Sequence, residues 1–85
     1  GVITEYTIPT AYSRPMGIAI APNCDVWFAE NGSDKMARFK PVSGTFDEYS
    51  FTTAGAKPEN VATSSNDSIW FTAPGLKSVI RLLPN

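Results

Sequence analysis

Tyr12, Arg14, Glu30, Asn31, Asp34 and Lys57 are the side chains best equipped for chemistry, and they fall in short polar stretches. These are Thr10 to Pro15 with its counterpart Thr53 to Pro58, and Glu30 to Lys35 with its counterpart Ala73 to Ser78. Such residues can hydrogen-bond the hydroxyls of a sugar, and a carboxylate such as Glu30, if repeated around an axis, can hold a cation. Polar loops are common, and solvated surface is the plainer reading of the same residues. Nucleophilic catalysis by a Ser/His/Asp or Cys/His set is ruled out, because the chain contains no histidine. Cys24 is the single cysteine, lies in a turn-forming stretch and has no local base to activate its thiol. The same two facts exclude an internal disulfide and metal sites of the Cys/His type. A paired-carboxylate mechanism on Glu30 finds no second acid at a telling spacing.

The bulk properties narrow the partners further. Seven basic and eight acidic side chains leave a net charge of −1, with no lysine or arginine run to neutralise a phosphate backbone, so nucleic acid is not an expected partner. No apolar run approaches the roughly 20 residues that span a bilayer, and Gly1 to Tyr6 lacks the basic start and apolar stretch of a signal peptide. A soluble protein is expected, and a lone thiol suits a reducing cytoplasm better than an oxidising compartment. At 85 residues the chain buries only about 60–65% of the surface its unfolded form exposes, which leaves a lone unit of this size marginally stable.

The elements that position these residues come from a duplication. A shift of 43 positions lays Glu5-Tyr6 on Glu48-Tyr49, Arg14-Pro15 on Lys57-Pro58 and Ile18-Ala19 on Val61-Ala62. It also lays Asn23 on Asn66, Val26-Trp27-Phe28 on Ile69-Trp70-Phe71, Gly32 on Gly75, Arg38 on Arg81 and Pro41 on Pro84, without a gap. Residues 1–85 therefore read as one unit of two tandem repeats, about 1–43 and 44–85.

Each repeat carries strand signals. Ile18 to Ala21, Val26 to Ala29, Met36 to Phe39 and Phe46 to Phe51 are short apolar or β-branched runs, separated by Pro22-Asn23, Asn31-Gly32-Ser33 and Pro41-Val42-Ser43-Gly44. Proline and glycine recur too closely for an amphipathic helix. Val26 to Ala29 is apolar on both faces, so its sheet must be covered on both sides. Four short strands per repeat in sheets stacked face to face describe an all-β fold of two four-stranded β-propeller blades. Trp27 and Trp70 could stack on a sugar or a base, but inside apolar strands they are expected in the core. Arg38 and Arg81 recur at one blade position and read as structural hydrogen bonders. Glu5-Tyr6 and Glu48-Tyr49 read as half-exposed outer-strand residues.

The pattern resembles the streptogramin B (virginiamycin B) lyase-like β-propellers, near the wider NHL-type repeat families. The residues that carry the resemblance are Ile3 to Thr10, Arg14 to Ala19, Pro22 to Glu30 and Lys35 to Phe39, and the second repeat follows more loosely. The resemblance implies a propeller of seven blades in one chain, and a lyase activity associated with a magnesium ion and with histidine and glutamate. No histidine is present here to take that role. It also implies a strand order in which Ile3 to Ile8 is the outermost strand of one blade and Met16 to Ala21 the innermost strand of the next. A full blade then runs from about Met16 to Phe51, and three strands from Asn60 to Leu83 lack an outer one.

Two blades cannot bend far enough to bring the spare strand to the incomplete blade, so another copy is expected to supply it. Such a head-to-tail contact closes when the rotation per subunit divides the circle, and three chains give six blades. The expected form is a homotrimer in which Ile3 to Ile8 completes a neighbour's blade. It acts as a non-catalytic binding or scaffold module, needs no cofactor, and has a small-molecule or carbohydrate site on its axial face. The alternatives are a divergent lyase-like enzyme using a glutamate-bound divalent metal such as magnesium, and a cropped or engineered piece of a longer propeller.

Overall fold

A computed structural model describes residues 1–51 and 53–84. The strands in chain order are β1 (Pro15–Ile20), β2 (Val26–Glu30), β3 (Lys35–Lys40), β4 (Thr45–Ser50), β5 (Val61–Thr63), β6 (Ile69–Ala73) and β7 (Ser78–Leu82), with one 3-10 turn at Pro74–Leu76. β1 to β4 form a four-stranded antiparallel sheet in sequential order, and β5 to β7 form a three-stranded one. No helix among the described residues is long and apolar enough to cross a membrane.

The turns explain why the chain reverses where it does. The Asn23 side-chain oxygen accepts the Asp25 backbone N–H at 3.0 Å, and Asn66 does the same for Ser68 at 3.3 Å. This Asx turn places the residue between, Cys24 or Asp67, at φ 74° or 66°. Three further pairs of left-handed positions are related by the repeat: Arg14 and Lys57 at 48° and 49°, Asp34 and Lys77 at 55° and 53°, Tyr12 and Gly55 at 57° and 84°. Two segments of different sequence thus share one backbone path, which is the duplication expressed in dihedral angles.

The sheets approach most closely along β1 and β5. Between them lies the core: Trp27, Ala29 and Met36 from the first blade against Ile69 and Phe71 from the second, with Tyr49, Val61, Ile80 and Leu82 packed around. Trp27 and Phe71 are each 1% exposed, and burial of residues this large stabilises by about 2–3 kcal/mol apiece. The Arg38 guanidinium lies over the Trp27 ring, 5.2 Å from its centroid, and is held there by Asp47 at 2.6 Å.

The middle strands of the two blades differ in how they are covered. In β2, Trp27, Phe28 and Ala29 are all buried, so both faces are shielded, as its uniformly apolar sequence requires. In β6, burial alternates: Ile69, Phe71 and Ala73 face the first blade, whereas Trp70 is 40% exposed on the other side. The expectation of a core role therefore holds for Trp27, and Trp70 lies on an open face. The first blade's outer face carries Phe28, Phe39 and Phe46, and Tyr6 rests on it with its ring 4.6 Å from that of Phe39. Residues 1–8 belong to no strand. Ile3 to Ile8, expected as an outermost strand, pairs with neither sheet among the described residues.

Candidate functional site

The antiparallel register gathers the polar residues at one end of the first blade. Pro15 pairs with Glu30, Glu30 with Lys35, and Lys35 with Ser50, so the loops Thr10 to Pro15 and Glu30 to Lys35 meet there. They are laced by backbone bonds: Asn31 N–H to the Arg14 carbonyl at 3.2 Å, and Gly32 N–H to the Ser13 carbonyl at 2.8 Å. Gly32 is required by this approach, since a Cβ there would lie 2.4 Å from the Tyr12 carbonyl oxygen. The equivalent Cβ on Gly75 would lie 1.7 Å from the Gly55 carbonyl oxygen, so both blades depend on the same close contact.

Of the six residues expected at a site, two make hydrogen bonds to the second repeat. The Asp34 carboxylate accepts the backbone N–H groups of Gly55 at 3.0 Å and Lys57 at 2.8 Å, and the Asn31 amide donates to the Pro58 carbonyl at 3.2 Å. Both tie the first blade to the loop that enters the second. Tyr12 is 92% exposed, and the Arg14 and Lys57 side chains are also in solvent. Those three line the rim and make none of the side-chain contacts that hold the loops.

Glu30 is the exception, being completely buried. Its Oε1 accepts the Ser33 hydroxyl at 3.0 Å. Glu48, brought to it by the β2–β3–β4 register, accepts the Thr10 hydroxyl at 3.0 Å; Lys35 Nζ donates to Thr10 Oγ1 at 2.9 Å and stands 3.9 Å from Glu48 Oε1. The Oε2 atoms of Glu30 and Glu48 are both buried and take part in no hydrogen bond among the described residues. The buried Glu30 and the half-buried Glu48 act on each other's charge, and neighbouring carboxyl groups resist ionising together. Burial, and then the hydrogen bond and charge of Glu48, push Glu30 up to about 7. Burial also acts to raise Glu48, but it is outweighed by the hydrogen bonds from Glu30 and Thr10 and by the Lys35 ammonium, which hold it low. Glu30 is thus the acid and Glu48 the carboxylate. The second acid that sequence spacing did not reveal is Glu48, read from sequence as a half-exposed outer-strand residue.

This pair does not fit a divalent cation on its own. No three His, Cys, Asp or Glu side chains come together among the described residues. The ammonium of Lys35 already faces Glu48.

A second feature lies on the first blade's outer face. An apolar cleft of about 400 Å³ is lined by Ile18, Val26, Phe28, Phe39 and Phe46, with Tyr6 at its border. Ile18 and Ile20 are 70% and 57% exposed there, more apolar surface than a solvated sheet face ordinarily shows.

The fold and this geometry have known counterparts. No curated protein sequence matches the chain. The solved structure of selenomethionine-substituted virginiamycin B lyase from Staphylococcus aureus superposes with a TM-score of 0.91 at 34% identity, over 100% of this chain and 29% of that one. A streptogramin B lyase structure gives 0.90 at 32% identity, over 96% of this chain and 27% of that one. A catalytically inactive histidine-to-alanine variant of the S. aureus enzyme with quinupristin gives 0.81 at 28% identity, over 99% and 31% of the respective chains. The chain therefore spans about three-tenths of the length of these structures. Residues 1–85 match the virginiamycin B lyase family throughout, and the chain belongs to that family.

Proposed function

We propose that this chain works as a blade pair within a closed propeller ring, a non-catalytic binding module in which three copies arranged head to tail supply six blades. The observation that carries the reading is a repeated Trp-Arg pair with two fates. Arg38 lies 5.2 Å over Trp27 in the seam between blades, and Arg81 lies 5.8 Å over Trp70 on a bare face. A face built like a covered one calls for the same cover. Strand number supports it as well: the second sheet has three strands, and residues 2–7, the counterpart of β4, lie unpaired at the other end of the chain. The polar rim of Tyr12, Arg14 and Lys57, repeated around the axis, is the surface on which a small molecule or a carbohydrate binds. Sedimentation equilibrium tests the assembly, with a discrete three-fold mass expected; a monomer at all concentrations overturns it.

A second reading, catalysis of the lyase kind, is favoured by family membership, and in this chain it would rest on Glu30 and Glu48 as proton donor and acceptor. Turnover of quinupristin by the chain, lost on Glu30→Gln, would establish it; the chain has no histidine to support it.

A further inference from the structure

Trp27 is enclosed by a defined set of residues across the seam. Ile69 and Phe71 meet it in the core, with Val61 and Leu82 packed around, and Tyr49 stacks on it at 5.9 Å and 27°. One repeat earlier in the chain, the counterparts of these five residues are Val26, Phe28, Ile18, Phe39 and Tyr6. They are the residues that line or border the open cleft on the first blade's outer face. The cleft is thus the Trp27 enclosure, built a second time and lacking an indole. Trp70, the counterpart of Trp27, is the exposed indole lacking an enclosure. Within one chain they cannot meet, because Trp70 lies on the face of the second blade that points away from the first.

We infer that the cleft on the first blade receives the partner's Trp70, with Tyr6 stacking on the indole as Tyr49 stacks on Trp27. This rests on the ring reading and adds the anchor, its socket and a direction. Tyr6 is already in place, 4.6 Å from Phe39, so the socket is half assembled before docking. A deep aromatic anchor surrounded by apolar contacts is the usual centre of a tight interface. Charge contributes little here: Asp47 and Asp25, which hold Arg38 in the covered seam, have Thr4 and Ser68 as counterparts at Arg81. Burial is the driving term, and the contact is expected to survive high salt.

The direction makes the test sharp. Trp70→Glu removes the anchor and Ile18→Glu blocks the socket; both positions are exposed in the single chain, so neither disturbs the core. Each variant alone should be a folded monomer by circular dichroism and sedimentation, with association weakened about 100-fold or more. An equimolar mixture should give a dimer and nothing larger, since one intact anchor meets one intact socket. In the unaltered protein, dilution should shift tryptophan emission to longer wavelength as Trp70 returns to water while Trp27 stays buried. Trimers that persist in Trp70→Glu overturn this anchor and leave the ring reading standing. An unaltered protein that is monomeric throughout overturns both, and failure of the mixture to dimerise overturns the head-to-tail direction.

Discussion

The Asp34 carboxylate accepts the Lys57 backbone N–H at 2.8 Å across the boundary between the two blades, and it takes the Gly55 N–H with its other oxygen. One side chain on the first blade's β2–β3 loop thereby holds two groups of the strand-entry loop of the second. Charge-assisted bonds to backbone N–H groups are stronger than neutral ones, and their loss leaves the connector without its fastening.

Asp34→Ala should accordingly lower stability by about 2 kcal/mol, the value of bonds to a charged group in a partly solvated place. Urea midpoints report the loss. Faster amide hydrogen exchange at Gly55 and Lys57, with core amides unchanged at low denaturant, assigns it to the connector. Unchanged exchange at both amides would count against this role.

Adding a methyl group at Gly32 or Gly75 forces a carbonyl out of its path. Gly75→Ala puts a Cβ 1.7 Å from the Gly55 oxygen and Gly32→Ala one 2.4 Å from the Tyr12 oxygen, so both should destabilise, by about 1–3 kcal/mol, with Gly75→Ala the worse. Thermal unfolding of the two variants side by side ranks them.

The Glu30–Glu48 pair gives stability a pH dependence of unusual sign. Glu30 in the folded chain is pushed up to about 7 from 4.5, so the folded form holds this proton after the unfolded form has released it. The stabilisation is complete below pH 4.5 and disappears as pH rises through 7. Glu48 and Asp47 act in the opposite sense, since both are held low when folded and contribute stability lost only in acid. From pH 5 to 8 the melting temperature should fall, and Glu30→Gln, which keeps a donor towards Glu48, should flatten that slope. A wild-type melting temperature that is level across this interval would show that Glu30 is not pushed up.

Arg38 and Arg81 have the same sequence setting and different surroundings. Arg38 is 8% exposed, bonded to Asp47 and stacked on Trp27, so Arg38→Ala should cost about 2–3 kcal/mol, although Asp47 keeps Lys40 at 3.0 Å. Arg81 lies over the exposed Trp70, and Arg81→Ala should change the stability of the single chain by less than about 1 kcal/mol. Chemical denaturation at a concentration low enough to keep the protein monomeric separates the two.

The strands were legible because their signals are local. The Trp-Phe runs, the Asn-containing turns and the closely spaced glycines and prolines each act within a few residues, and β2, β3 and β4 lie within a residue of their expected bounds. What escaped is set by register. Glu30 and Glu48 are far apart in sequence, and only the pairing of Phe28 with Ala37 and Ala37 with Glu48 puts them on one face. Sequence spacing carries no trace of that. The bonds of Asn31 and Asp34 to the next repeat were equally hidden, because polar loop side chains look alike whether they face a ligand, a neighbouring backbone or both. Trp70 shares its local pattern with Trp27, and its exposure follows from what stands beside the sheet.

Gly17 sits on the innermost strand at φ 61°, where a Cβ would come 2.5 Å from the Glu59 oxygen and 3.1 Å from the Asn60 Cα. Main chain there bears directly on main chain, so the hub end of the wedge between adjacent blades is as thin as a polypeptide allows. A side chain at that point acts as a shim: it opens the pitch at the hub while the rim stays put, and a circle made of such wedges would take a different number of them to close.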